Sequence, residues 1–236
     1  MWSEPPCAVL EAERDDQLIG ISGERSVRRE RLMRIKLAGI GAFTGILVMA
    51  AMAYGAVTPI PVGGPYSQYS EGCRDAINGA GLQGDGADDT ITGTALNDLL
   101  RGGGGDDTIN GVGGDDCLIG EDDNDKVNGG DDDDVVFGDD GKDKLNGADG
   151  KDIVRGGEGN DRVKGSAGKD KLKGDAGQDR VVGGTGKDKI KGGSGDDKLK
   201  AVDGVRDKVN CGSGDDKATV DNKDKVKKNC ERVRVK

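Results

Sequence analysis

From Asp89 onward an aspartate stands at every ninth residue: Asp89, Asp98, Asp107, Asp116, Asp125, Asp134, Asp143, Asp152, Asp161, Asp170, Asp179, Asp188 and Asp197. A carboxylate repeated at fixed spacing can hold cations. Little other chemistry is on offer, because the chain has no histidine. That excludes imidazole general bases, Ser-His-Asp triads and His-ligated zinc. The five cysteines form no CxxC pair, which argues against a cysteine zinc site. The surroundings of each aspartate point to the cation. A glycine stands five residues before every one, and a second stands two residues before most, the exceptions being Ala87, Leu96, Asp123 and Asp132. Glycine permits positive φ and a tight turn whose carbonyls point inward. Carboxylates among inward-facing carbonyls form an all-oxygen site, which suits a hard cation and calcium above all.

The elements that position these aspartates are written in the same period. Residues 84–200 divide into thirteen units of nine with no insertion, among them GGGGDDTIN (102–110), GGEGNDRVK (156–164), GGTGKDKIK (183–191) and GGSGDDKLK (192–200). The first position is always glycine, the sixth always aspartate and the eighth always aliphatic, from Ile91 and Leu100 to Ile190 and Leu199. One β-branched or leucine side chain per unit suits a brief strand with a single inward residue. Only 33% of the chain is hydrophobic and 3% aromatic, a composition that by itself suggests disorder. The fixed period overrides that suggestion and implies stacked units that touch only their neighbours. The thin apolar content still makes folding without metal doubtful.

These units resemble the RTX nonapeptide, G-G-x-G-x-D-x-U-x with U a large apolar residue. The resemblance implies an all-β fold, a right-handed parallel β-roll or solenoid of stacked nonapeptide repeats with two repeats per turn. It also implies several Ca2+ ions, each held between loops eighteen residues apart by glycine-loop carbonyls and the sixth-position aspartates. Carried over, one row of sites uses Asp89, Asp107, Asp125, Asp143, Asp161, Asp179 and Asp197, and the other Asp98, Asp116, Asp134, Asp152, Asp170 and Asp188. Among the glycines of the loops, Gly102, Gly104, Gly111, Gly113, Gly156, Gly183 and Gly192 are expected at the metal. Two departures stand out. The first two units, GDGADDTIT and GTALNDLLR, lack glycine at positions two and four, which puts the sites of Asp89 and Asp98 in question. Lys142, Lys151, Lys169 and Lys187 place a cation beside the next aspartate.

The flanks bear on destination. Residues 37–57 are uncharged and mostly apolar, and Arg28, Arg29, Arg31, Arg34 and Lys36 precede them. The pattern predicts a signal peptide over 33–57, with a membrane anchor as the rival reading. Residues 1–32 then read as a non-native leader from an early start site, and 58–83 as a linker and N-terminal cap. Beyond the roll at 84–200, residues 201–236 read as degenerate repeats and a C-terminal cap, where Cys211 and Cys230 fit a staple; Cys73 with Cys117 is the other expected pair. The net charge of −10 is concentrated in residues 84–150, which carry 20 acids and 4 bases and should repel nucleic acid. The chain is therefore expected to be a secreted, non-enzymatic, monomeric calcium-binding protein folded by extracellular calcium. No nucleic-acid partner or small-molecule substrate is expected, and a cell-surface or matrix partner stays unidentified. The alternatives are a cell-surface adhesion or surface-layer spacer, or a detached repeat region of an RTX hydrolase or toxin.

Overall fold

The computed structural model describes Thr58–Pro59, Gly79 and residues 81–236. The expected leader, signal peptide and most of the linker lie outside the described residues. Each nonapeptide makes one loop and one short strand. Lys126–Asp131 shows how: the strand begins at position seven of one unit and runs into position three of the next. Side chains alternate along it, so Val127 at position eight and Gly129 at position one face inward while Lys126 and Asn128 face out. That alternation explains the one fixed aliphatic per unit. All thirteen position-eight side chains, Ile91 to Leu199, are no more than 3% exposed. Each contributes roughly 1.5–3 kcal/mol through burial.

Successive units feed two sheets in turn. The first sheet runs through nine strands from Thr90–Thr92 to Arg232–Val235, and the second through ten, from Thr58–Pro59 to Lys225–Val226. Strand neighbours within a sheet are parallel and two units apart, as in Val127↔Leu145 and Val154↔Leu172. The exception is Thr58–Pro59, which pairs antiparallel with Gly81–Gln83 at the end of the second sheet. This is the expected solenoid, with two repeats per turn and no helix among the described residues. No described segment is a helix long and apolar enough to cross a membrane.

The roll does not stop at Lys200. Its register stretches to 19 residues at Lys189↔Lys208 and Lys198↔Lys217, then shortens through Lys208↔Lys225 and Lys217↔Arg232. Val209, Cys211, Ala218, Val220 and Cys230 extend the core to the end of the stack. Cys211 and Cys230 form the expected disulfide inside it.

A second apolar cluster lies on the outward face of the second sheet, at positions seven and nine. It contains Leu99, Cys117, Ile119, Val135 and Phe137, with Ile153 at its margin. The guanidinium of Arg155 stands 5.9 Å from the centre of the Phe137 ring. Cys117 is disulfide-bonded; its expected partner, Cys73, lies outside the described residues.

Candidate metal centre

Each sixth-position aspartate sits where the loop turns into the strand, and all thirteen are no more than 3% exposed. Their backbones are fully used. The carbonyl of Asp107 accepts from Lys126 N–H at 2.9 Å, and the amide of Asp107 donates to Oδ1 of Asp125 at 2.8 Å. The same amide-to-carboxylate bond joins Asp89 to Asp107 at 2.7 Å and Asp98 to Asp116 at 2.8 Å. It recurs down both rows, for example from Asp143 to Asp161 and Asp170 to Asp188. The structure thus brings every expected aspartate into one of two axial columns, each rung fixed by the amide of the rung before.

The other carboxylate oxygen is the chemically open one. From Asp107 to Asp197, every Oδ2 is buried and has no hydrogen-bond partner. Leaving a charged acceptor buried and unpaired is costly. Backbone carbonyls crowd the same place. A Cβ added to Gly102 would strike both Asp107 Oδ2 and the carbonyl of Gly120; at Gly111 it would strike Asp116 Oδ2 and the carbonyl of Gly129. Gly156 meets Asp161 and the Gly174 carbonyl in the same way, and Gly192 meets Asp197 and the Cys211 carbonyl. Position one is glycine because it faces inward beside the carboxylate, where any side chain would fill the oxygen-lined space. It does not need positive φ, contrary to the expectation that these glycines serve the turn.

Positive φ belongs instead to positions two and four, as at Gly157 and Gly159. Where those positions lack glycine in the body of the roll, the left-handed conformation persists: Val112, Glu121, Asp123, Asp132, Asp139, Ala148, Ser166 and Asp175 all adopt it. The first two units do not. There the position-two amides point at the carboxylate, Asp85 N–H donating to Asp89 Oδ2 at 2.9 Å and Thr94 N–H to Asp98 Oδ2. The Thr94 hydroxyl adds a further bond to Asp98. The departure read in these two units therefore has a structural counterpart: their Oδ2 is capped from within the loop.

Burial, with help from neighbouring carboxylates, raises the pKa values of the open rungs. The Asp107 carboxyl is pushed up to about 6, Asp125 to about 7 and Asp134 to about 8. Asp161, Asp170 and Asp197 each rise to about 7. Desolvation is the leading cause at each, and the backbone amide on Oδ1 opposes it. Such a group resolves its burial by taking a proton or by taking a cation.

The donor set fits calcium. It offers hard oxygens only, one open carboxylate oxygen per rung, and carbonyls of the loop eighteen residues away. Among the described residues no three Asp, Glu, Cys or His side chains converge on one point. An ion here would draw on the backbone for most of its ligands. Gly102, Gly111, Gly156, Gly183 and Gly192 occupy position one beside the carboxylates, and Gly104 and Gly113 lie two residues further along the loops.

Four ladder residues were missed by reading the period alone. Asp188 N–H donates to Asp207 Oδ1 and Asp197 N–H to Asp216 Oδ1, each at 2.8 Å, and Asp224 and Glu231 continue the columns. Asp207 and Asp216 are buried with an open Oδ2, like the rungs before them. A signal was present: Asp207-Lys208-Val209-Asn210 repeats Asp125-Lys126-Val127-Asn128 after a one-residue slip.

No curated protein matches the chain. The family described as RTX calcium-binding nonapeptide repeat (4 copies) matches residues 83–118, 111–145, 119–154, 146–181 and 173–204. These matches run over the thirteen in-phase rungs of the carboxylate columns, from Asp89 to Asp197, and together they span more than half of the 236 residues. The chain belongs to the RTX calcium-binding nonapeptide-repeat family.

Proposed function

We propose that this chain is an exported, non-enzymatic calcium-binding repeat protein whose roll is folded by calcium outside the cell. One observation carries the reading: a column of buried carboxylates, each with an oxygen that no hydrogen-bond donor reaches. The residues that would hold the ions are Asp107 and the rungs that follow it through Asp197, together with loop carbonyls such as those of Gly120 and Gly129. A divalent cation supplies positive charge and satisfies the open oxygens at one stroke. It thereby removes the desolvation penalty that otherwise keeps these rungs near protonation. Export is supported by the basic-then-apolar pattern of residues 28–57 and by a cysteine pair buried as a disulfide. Extracellular calcium, in the ~0.1–1 mM range that loose extracellular sites require, would then act as the folding signal.

Far-ultraviolet circular dichroism of the full chain tests this, first with calcium and then with excess chelator. The β signal should rise with calcium and collapse on chelation. A roll equally ordered and heat-stable in chelator contradicts calcium-driven folding.

A further inference from the structure

The outward face of the first sheet carries a second pattern, independent of the carboxylate columns. Lys126, Lys144 and Arg162 are register partners in adjacent strands, so their side chains form a row along the roll axis. Beside it, two residues further along each strand, run Asn110, Asn128 and Asn146. Rungs lie about 4.8 Å apart and the two rows roughly 7 Å apart, the spacings of a parallel sheet. Together they border a groove of about 610 Å³ that contains no carboxylate.

Both rows are set up to bind something. The asparagines are half-buried and hold one another: Asn128 Nδ2 donates to Asn110 Oδ1 at 2.9 Å, and Asn146 Nδ2 to Asn128 Oδ1 at 2.7 Å. The Ser166 hydroxyl closes the ladder on Asn146. An amide has two donor hydrogens and two acceptor lone pairs, so the ladder uses only part of each side chain's capacity. The cations are exposed, and among the described residues Lys126, Lys144 and Arg162 have no ion-pair partner. Stacking like charges directly opposite one another weakens a sheet. This row therefore opposes folding until anions lie along it.

We propose that this face binds a linear anionic polysaccharide lying parallel to the roll axis. Its carboxylates or sulfates would meet Lys126, Lys144 and Arg162, and its hydroxyls the free capacity of Asn110, Asn128 and Asn146. A nucleic acid fits less well. No aromatic side chain stands on this face for bases to stack on. A double helix is wider than the two rows and would lay phosphates over Asp131 and Asp149, at the far ends of the same strands. The proposal needs the roll to be folded, but it does not depend on which residues bind calcium.

Calorimetric titration of the full chain in saturating calcium, at about 0.1 M salt, tests it with hyaluronate and chondroitin sulfate. Dextran serves as the neutral control and single-stranded DNA as the rival. Both anionic polysaccharides should bind and dextran should not. The triple variant Lys126→Gln, Lys144→Gln, Arg162→Gln should bind them about tenfold more weakly, as three solvent-exposed ion pairs would give. Asn128→Ala should also weaken polysaccharide binding. The pair Lys171→Gln, Lys189→Gln on the other sheet should leave it unchanged, and circular dichroism verifies that each variant keeps the calcium-loaded fold. Three results would overturn the proposal: no binding of either polysaccharide, equal binding by the triple variant, or tighter binding of the DNA.

Discussion

Asp98 and Asp161 are the same residue at the same place in the repeat, equally buried, and each is hydrogen-bonded through Oδ1 or its backbone into the same kind of column. They differ in what happens to Oδ2. In the loop of Asp98, position two is Thr94, whose N–H and hydroxyl both turn onto the carboxylate. In the loop of Asp161, position two is Gly157 at φ 123°, and Oδ2 is left without a partner. The contrast shows that the aspartate alone does not make the site. The handedness of the backbone four residues upstream decides whether Oδ2 is capped by its own loop or stays open to a cation.

The largest expected effect follows from the open rungs acting together. Their folded-state values, about 6 at Asp107 and about 8 at Asp134, lie above the ~3.9 of an unfolded aspartate. Between those limits the folded chain holds more protons than the unfolded one. The metal-free roll should therefore be stabilised as pH falls from 8 toward about 4, and destabilised as pH rises through 6 to 8. Calcium must displace those protons, so its apparent affinity should climb over the same interval. Chelated protein monitored by circular dichroism at pH 5 and pH 8 measures this. Equal order at both would mean that burial does not hold the carboxyls protonated.

A single rung should matter less, and unequally. Asp161→Asn keeps an oxygen for the Asp143 amide but removes the charge, and should cost roughly 2 kcal/mol of calcium-dependent stability, the loss usual for one charged partner. Asp98→Asn should leave the calcium dependence within about 0.5 kcal/mol of the parent, a surface-like effect, because its oxygens already have donors. Thermal melts with and without calcium compare the two. Equal losses would erase the distinction between capped and open loops.

The smallest effect concerns strain. Val112, a β-branched residue at φ 90°, holds position two left-handed without glycine and is 42% exposed. Val112→Gly should raise stability by about 0.5–1 kcal/mol, relief of left-handed strain outweighing the added chain entropy. A lower melting temperature would indicate that this loop is not strained by its side chain.

Much of this was legible in the sequence, for a physical reason: one unit encodes its own strand. The inward aliphatic at position eight and the aspartate at position six needed only the nine-residue period. What escaped depends on contacts between turns. That Gly102 must be glycine for the sake of the Gly120 carbonyl, as well as of Asp107 in its own loop, is a fact about a residue eighteen positions away in chain but adjacent in the stack. Asp207 and Asp216 escaped because one inserted residue broke the phase, although the hydrogen bond to Asp207 merely spans 19 residues in place of 18. The outward cluster of Leu99, Ile119 and Phe137 escaped because a repeat rule that records one apolar position per unit does not see positions seven and nine.

The most direct test is crystallographic: crystals of the protein grown with a calcium-mimicking lanthanide, and the anomalous difference map calculated from them. The account predicts peaks at about 2.3–2.6 Å, calcium-like ligand distances, from Oδ2 of open rungs such as Asp125 and Asp161. It predicts none bound to Oδ2 of Asp98. Peaks confined to the exposed loop carboxylates, or an ion on Asp98 as strong as those on Asp125 and Asp161, would contradict it.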